Sequence, residues 1–199
     1  EAFAQKMEES FDVPEDQISA ETISSTVSKE MQRDAILAVT IATVCMLIYI
    51  WFRFKDIRFA SSGVLALLHD VMVVLACYTF VRISVGNTFI ACMLTILGYS
   101  INATIVIFDR IRENMHGVKT VEELKELVNA SITQTLTRSI YTSLTTFITI
   151  AVLFVMGVST VREFALPIMT GIVCGAYSSV CITGPLWFTM KKRSLIREK

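Results

Sequence analysis

Charged residues are scarce in this chain of 199 residues, since Asp, Glu, Lys and Arg together make up only 18% of it. Hydrophobic residues account for 53%, and the mean hydropathy is +0.59, well above that of an ordinary soluble domain. This composition excludes a typical water-soluble domain. It predicts a protein that lies mostly in lipid.

Motifs for nucleotide or bond-breaking chemistry are absent from the sequence. It contains no P-loop, no HExxH, no GxSxG and no glycine run that would cradle a phosphate. An ATP-driven or hydrolytic function therefore has no residues to support it, and we expect a protein that is not an enzyme and needs no cofactor.

The cysteines form no recognisable framework. All of them fall inside apolar runs without CxxC spacing, so neither disulfides nor a zinc site is indicated and no metal site is predicted. We interpret them as small core residues. They are Cys45, Cys77, Cys92, Cys174 and Cys181.

The apolar residues are grouped into five runs, each near or beyond the roughly 20 residues that a helix needs to cross a bilayer. The runs are 35–52, 60–81, 88–108, 139–158 and 164–190. They predict an all-α membrane protein with five transmembrane helices. The last run is long enough that we expect it to tilt, to kink at Pro167 or Pro185, or to extend past the bilayer.

Polar residues 1–34 precede this bundle of residues 35–199 and are interpreted as the remnant of an extracytoplasmic domain. No signal peptide opens the chain, because Glu1 begins an acidic stretch without an apolar core. We therefore expect a sixth, amino-terminal spanning helix to be missing and the chain to be the carboxy-terminal part of a longer protein.

Most of the 18 Lys and Arg follow the first, third and fifth apolar runs, which predicts that the C-terminus is cytoplasmic and the N-terminus outside. Because these basic residues adjoin membrane ends, anionic lipid explains them and no nucleic acid is expected as a partner. The long inside connection 109–138 carries Val121, Leu124, Leu127 and Val128 at helical spacing. It predicts an amphipathic helix on the membrane surface or against the bundle.

Asp70 lies near the middle of the second run, where an ionisable group is costly enough to suggest a function. A neutral acid is tolerated in lipid and an anion needs a partner, which is the physical basis of a proton relay. The alternative is that Asp70 only ties helices together by hydrogen bonds. His69 is adjacent but about 100° round the helix, so we expect the two side chains not to share a face, and a structural role is favoured for His69.

The third run has a polar stripe, because Thr95, Asn102 and Asp109 lie seven residues apart with Gly98 beside them. An unpaired amide in hydrocarbon costs roughly 4 to 8 kcal/mol, so Asn102 is expected to face protein, water or a moving ion. The alternative is close helix packing with one interhelical amide bond.

Arg138 opens the fourth run and is followed by Thr142, Thr145 and Thr149, which predicts a polar stripe directed inward. The alternative is an arginine that extends to lipid headgroups and hydroxyls that bond back to their own helix. In the fifth run, Gly171 and Gly175 form a GxxxG pair that permits close approach of another helix.

Three segments on different predicted helices closely resemble the SecF family of bacterial protein-export membrane subunits, or the SecF half of fused SecDF proteins. They are Leu68-His69-Asp70, the stretch GYSINATIVIFDRIREN that begins at Gly98, and QTLTRSIYTSLTT that begins at Gln134. The resemblance covers essentially the whole membrane part. It implies membership of the resistance-nodulation-division superfamily.

The resemblance further implies an auxiliary role in the Sec translocase of the bacterial cytoplasmic membrane. The implied partners are SecD, the SecYEG channel and the exported preprotein, and the implied driving force is the proton-motive force. The family's third-span motif usually reads Asn-Asp-Thr, whereas this chain has Asn102-Ala103-Thr104. By the resemblance, Arg138 is a charge partner and Asn102 a polar gate.

Together these residues predict that Asp70, Asn102 and Arg138 meet between neighbouring helices and carry protons. Two alternatives stay open. One is a proton-driven exporter of small molecules or lipids in the same superfamily, and the other is a non-conducting scaffold of the export complex, which the missing acid at Ala103 favours.

Overall fold

The computed structural model describes residues 25–83, 85–118 and 120–197, and nearly all of them are helical, with no strand among them. The helices are α1 Ser25–Phe54, α2 Ile57–Val81, α3 Asn87–Asn114, α4 Val121–Met156, α5 Ser159–Ser178 and α6 Gly184–Arg197. A π-helical turn, Ser179–Thr183, joins α5 to α6.

Among the described residues, five helical segments are long and apolar enough to cross a membrane, as the sequence predicted. The last of them, Ser159–Ser194, combines α5, the π turn and most of α6. The chain divides into two compact units, residues 1–34 and 35–199, and the bundle belongs to the second. The predicted extracytoplasmic remnant lies outside the described residues as far as residue 24.

Tight turns at both ends of α2 connect it to its neighbours. Asp56 caps its first turn, because the carboxylate accepts a hydrogen bond of 3.0 Å from the amide of Arg58. Arg82 ends the helix in the left-handed conformation, with φ of 58°, and its amide donates to the carbonyl of Tyr78. Such short connections hold successive helices as neighbours.

The amphipathic helix predicted in the connection 109–138 packs against the bundle, and it is continuous with the fourth span. Helix α3 continues as far as Asn114, and α4 begins at Val121 and runs without a break for 36 residues. Thr120 and Glu123 form a reciprocal capping box at its start. The amphipathic segment is therefore the first part of the fourth span, and it packs against the bundle.

A buried aromatic cluster fills the end of the bundle beneath that segment. The ring of Phe59 lies 4.8 Å from those of Phe108 and Trp187, measured between centroids. Leu124 and Val128 of α4 belong to the same core. Aromatic pairs of this kind contribute about 0.5 to 1.5 kcal/mol each beyond the burial of their surface, so α2, α3, α4 and α6 are held together here.

Helix α5 is central, because it packs against α2, α3 and α4. Gly171 and Gly175 allow this, since a Cβ atom would lie 2.6 Å from Ile96 at the first position and 3.2 Å from Ser100 at the second. Gly98 differs from expectation: it is exposed, and a Cβ there would meet nothing within 4 Å among the described residues. It lies on the face of α3 away from α5, so none of the described helices packs closely against it.

The predicted irregularity of the last span is a π-helical turn that ends two residues before Pro185. Proline has no amide hydrogen and crowds the preceding turn, so the regular hydrogen-bond pattern cannot continue there. The hydroxyl of Thr183 donates to the carbonyl of Ser178, five residues earlier, at 3.2 Å. Pro167 is buried within α5, which continues through it.

Candidate functional site

The carboxylate of Asp70 lies in the middle of α2 and is completely buried. One oxygen, Oδ2, accepts hydrogen bonds from the hydroxyls of Ser100 on α3 at 2.5 Å and Ser178 on α5 at 2.7 Å. The other, Oδ1, lies 3.2 Å from both Cys174 Sγ and His69 Nδ1. Hydrogen bonds to a carboxylate are stronger than those between neutral groups, so this site links three helices.

The local sequence explains why these partners converge. Cys174 and Ser178 are one turn apart on α5 and therefore share its inner face. Gly175 lies between them and removes the side chain that would hold α3 away, which lets Ser100 reach the carboxylate. The glycines and the small polar residues thus act together.

His69 corrects the expectation that it and Asp70 point in different directions. Its Nδ1 reaches Asp70 Oδ1 because an imidazole extends far enough to lean back over a neighbouring side chain, although the two Cα–Cβ bonds diverge by about 100°. His69 also lines a cavity of about 720 Å³ between α2, α4 and α5. The other lining residues are mostly apolar, including Phe147, Phe154 and Val173.

Asn102 and Arg138 lie together, but apart from Asp70. Both are exposed, and they line a recess of about 60 Å³ between α3 and α4 with Ala103 and Thr142. Neither forms a hydrogen bond or ion pair with Asp70 in the part of the chain that the structure describes.

The predicted meeting of Asp70, Asn102 and Arg138 is therefore not formed within this chain. The reason lies on α3, where Ser100 faces Asp70. Asn102 is two residues further on, about 200° round the helix, and so lies on the opposite face. The polar residues divide between two sites, a buried one at Asp70 and an outer recess at Arg138.

The outer recess continues into a larger polar groove of about 550 Å³ towards the ends of α3 and α4. Asp109 is at its edge and forms an ion pair of 2.9 Å with Arg53 of α1. Arg110 donates to Gln134 at 2.5 Å and to Glu113 at 2.8 Å. Asp109 thus ties α1 to α3 and does not contact Asn102.

The threonines after Arg138 were expected to face inward, and this prediction is wrong. Thr142, Thr145 and Thr149 are exposed, and each hydroxyl donates at 2.9 Å to the carbonyl four residues earlier in α4. The helix satisfies its own hydroxyls, as the alternative interpretation stated. Only Thr142 reaches a site, because it lines the recess of Arg138.

Sequence reasoning missed the partners of Asp70. Neither Ser100 nor Ser178 was predicted to reach its carboxylate. For Ser178 the available signal was its spacing from Gly175, because a serine three residues after that glycine lies on the same face of the helix.

Comparison with known proteins shows which family this chain resembles. The model of the family described as protein export membrane protein SecD/SecF, C-terminal, matches residues 3–193. A protein translocase subunit SecF of Alicyclobacillus acidocaldarius is 45% identical over 180 residues, which cover 89% of this chain and 58% of the relative. The SecF of Sebaldella termitidis is 42% identical, over 88% of this chain and 56% of the relative.

Solved structures agree with this relationship. The crystal structure of SecDF, a translocon-associated membrane protein from Thermus thermophilus, is 41% identical and has a TM-score of 0.78 over 86% of this chain and 24% of its own. The super-membrane-facing form of SecDF has a TM-score of 0.76 at 39% identity, over 89% of this chain and 23% of its own.

The chain spans somewhat more than half the length of the SecF relatives and about a quarter of the SecDF chains. Its five apolar helices and these relatives make it a multi-pass membrane protein. It belongs to the family of SecD/SecF protein-export membrane proteins, whose C-terminal model covers most of its length.

Proposed function

We propose that this chain is the SecF-type part of an auxiliary assembly of the Sec translocase and that the assembly uses the proton-motive force to assist late steps of preprotein export. Its proposed partners are SecD, separate or fused, the SecYEG channel and the preprotein. It catalyses no reaction of its own. The names of the relatives, protein translocase subunits SecF and SecDF, support the translocase role.

The state of Arg138 supports the proton-driven part of this proposal. Its guanidinium has no hydrogen-bond or ion-pair partner among the described residues, and the neighbouring Ala103 carries no charge. A cation at membrane depth is costly unless it is paired or solvated. Arg138 is exposed on the outer face of α3 and α4, where it can form an ion pair with an acid of a partner.

A carboxylate of the SecD half, placed against this face, completes the pair in the proposed mechanism. When the acid is ionised it binds Arg138, and when it takes a proton the attraction is lost and the two halves separate. Coupling follows because the two protonation states favour different packing of the same helices. Asn102 lies beside the pair and supplies an amide that binds either state.

Asp70 has a different role in this proposal. Its carboxylate is satisfied by partners on α2, α3 and α5, on the side of α3 that is opposite Asn102. It holds these helices in register while α3 and α4 present the Arg138 recess. Basic residues Lys191, Lys192 and Arg193 near the end of α6 support a cytoplasmic C-terminus in the bacterial cytoplasmic membrane.

A non-conducting scaffold is the second candidate, and Ala103 is the observation that favours it. Among the described residues, no acid lines the recess, and the two acids of the adjoining groove, Asp109 and Glu113, are paired with Arg53 and Arg110. A scaffold needs only the shape of the bundle, so it predicts that export is insensitive to the charge of residue 138.

Export into inverted membrane vesicles that contain SecD and this chain distinguishes the two candidates. We expect Arg138→Gln to abolish the stimulation of export by the proton-motive force and Arg138→Lys to retain part of it. Arg162→Gln alters an exposed arginine in the first turn of α5, which donates to the carbonyl of Val155 near the far end of α4; it is the matched control and should leave the stimulation intact. Full stimulation in Arg138→Gln would favour the scaffold.

A further inference from the structure

His69, Asp70 and Cys174 bring three different metal-ligating atoms within 4.8 Å of one another. Two of them are neighbours on α2, and the third comes from the facing side of α5, 104 residues from Asp70. Neither spacing along the sequence nor a cysteine motif signals this cluster. It is formed only when the two helices pack.

The separations of the three atoms match one face of a tetrahedral metal site. Cys174 Sγ and His69 Nδ1 each lie 3.2 Å from Asp70 Oδ1, and they are 3.8 Å from each other. Zinc–ligand bonds of about 2.3 Å to sulfur and about 2.0 to 2.1 Å to nitrogen or oxygen, at tetrahedral angles, put these atoms about 3.3 to 3.6 Å apart. Shifts of a few tenths of an ångström convert the cluster into a ligand set.

Neighbouring hydroxyl groups orient the carboxylate of Asp70, as hydrogen-bonding residues behind the ligands do in known metal sites. Ser100 and Ser178 both donate to Oδ2, which leaves Oδ1 directed at His69 and Cys174. Hydrogen bonds to the atom that does not bind the metal commonly fix the rotamer of a ligand in this way.

Charge balance also suits a divalent ion in an apolar bundle. A thiolate and a carboxylate neutralise two positive charges, and a neutral imidazole adds none, so the loaded site has no net charge to desolvate. The thiolate selects a borderline-soft transition metal over Mg²⁺ or Ca²⁺, which prefer oxygen ligands. His69 and Cys174 line the cavity of about 720 Å³, which leaves room for water as the fourth ligand.

We propose that His69, Asp70 and Cys174 form a site for a divalent transition-metal ion such as Zn²⁺, separate from the Arg138 recess. Binding forms bonds from the metal to Nδ1, Oδ1 and Sγ, breaks the S–H bond of Cys174 and releases that proton to water. The His69 proton resides on Nε2, and no group is oxidised or reduced. A bound ion fastens α2 to α5.

Titration of the chelator-treated chain in detergent micelles with Co²⁺ tests the proposal, because cobalt bound to a thiolate shows a sulfur-to-metal charge-transfer band. We expect one ion per chain and a band that excess Zn²⁺ removes. Cys174→Ser should abolish the band, and Ser178→Ala should weaken binding about 10- to 100-fold. Cys181→Ser, which alters an exposed thiol of the same span, is the control and should change nothing.

Alkylation of the unmodified chain provides a second measurement that needs no variant. Zn²⁺ should slow the labelling of Cys174 by at least tenfold, as read by mass spectrometry, and leave that of Cys181 unchanged. The proposal is wrong if no charge-transfer band forms, if the band survives Cys174→Ser, or if Zn²⁺ leaves Cys174 unprotected. Because none of these readouts involves export, they are independent of the proposed translocase role.

Discussion

Asp70 and Asp109 carry the same side chain in different surroundings. Asp70 is fully buried and accepts from residues of α3 and α5, whereas the side chain of Asp109 is 35% exposed and pairs with a half-exposed Arg53. A buried acceptor cannot exchange its partners for water, and an exposed one can. The buried carboxylate therefore contributes more to stability.

Asp70→Asn is expected to lower the free energy of unfolding by about 1 to 3 kcal/mol. Asparagine keeps the size but replaces one acceptor oxygen with a donor where hydroxyl and thiol donors already point. Unfolding in mixed detergent and denaturant micelles measures the effect. Asp109→Asn is the control and should cost less than about 1 kcal/mol. Equal losses in the two variants would contradict the assigned role of Asp70.

The sequence predicted some of these residues correctly and not others. That Asp70 is a polar residue inside the bundle followed from its place in an apolar run. Its partners Ser100 and Ser178 lie 30 and 108 residues away, and periodicity within one helix does not reveal how it is rotated against another. Asn102 and Arg138 share a recess on the face of α3 opposite Asp70, whereas the sequence predicted that all three residues meet.

Between helices, the contact of α3 with α5 depends on the absence of a side chain. Gly171→Ala would place a Cβ atom 2.6 Å from the side chain of Ile96, which is itself 1% exposed and has little room to move. We expect this variant to lower the free energy of unfolding by about 1 to 3 kcal/mol.

Gly98→Ala is the matched control for that prediction. A Cβ there meets nothing within 4 Å among the described residues, and alanine favours a helix over glycine by up to about 1 kcal/mol. The same unfolding assay should therefore show no loss of stability. A destabilised Gly98→Ala together with an unaffected Gly171→Ala would refute the packing described for α5.

The start of α4 is a second place where one residue acts on a whole helix. Thr120 accepts from the amide of Glu123 at 3.2 Å, and Glu123 accepts from the amide of Thr120 at 3.1 Å. Thr120→Ala is expected to cost about 0.5 to 2 kcal/mol and to increase amide hydrogen exchange in the first turn. Thr133→Ala, an exposed position within the same helix, should leave that exchange unchanged.

Most helices could be predicted from the sequence, because runs of apolar residues long enough to span a bilayer are unambiguous. The extent of α4 could not, since its first part has an amphipathic pattern and its second an apolar one, although both form a single helix. The change from an amphipathic to an apolar pattern reflects a change in what surrounds α4, from the end of the bundle to the bilayer. The helix continues through that change without a break.

At the scale of the whole molecule, the two polar sites lie on opposite sides of α3. The buried site fastens α2, α3 and α5 together, and the recess with Asn102 and Arg138 opens outward between α3 and α4. This division suits a bundle that moves as one body against a partner, because its interior is held rigidly and its unpaired charge is presented outside.

Proton flux into liposomes that contain SecD together with this chain tests the role of Arg138 most directly. Arg138→Gln should reduce the flux at least about tenfold, since the proposed pair with an acid of SecD can no longer form and about 1.4 kcal/mol is a factor of ten in rate. Arg162→Gln should conduct like the unaltered assembly. Unchanged flux in Arg138→Gln would contradict the proposal that protons are used at the face of α3 and α4.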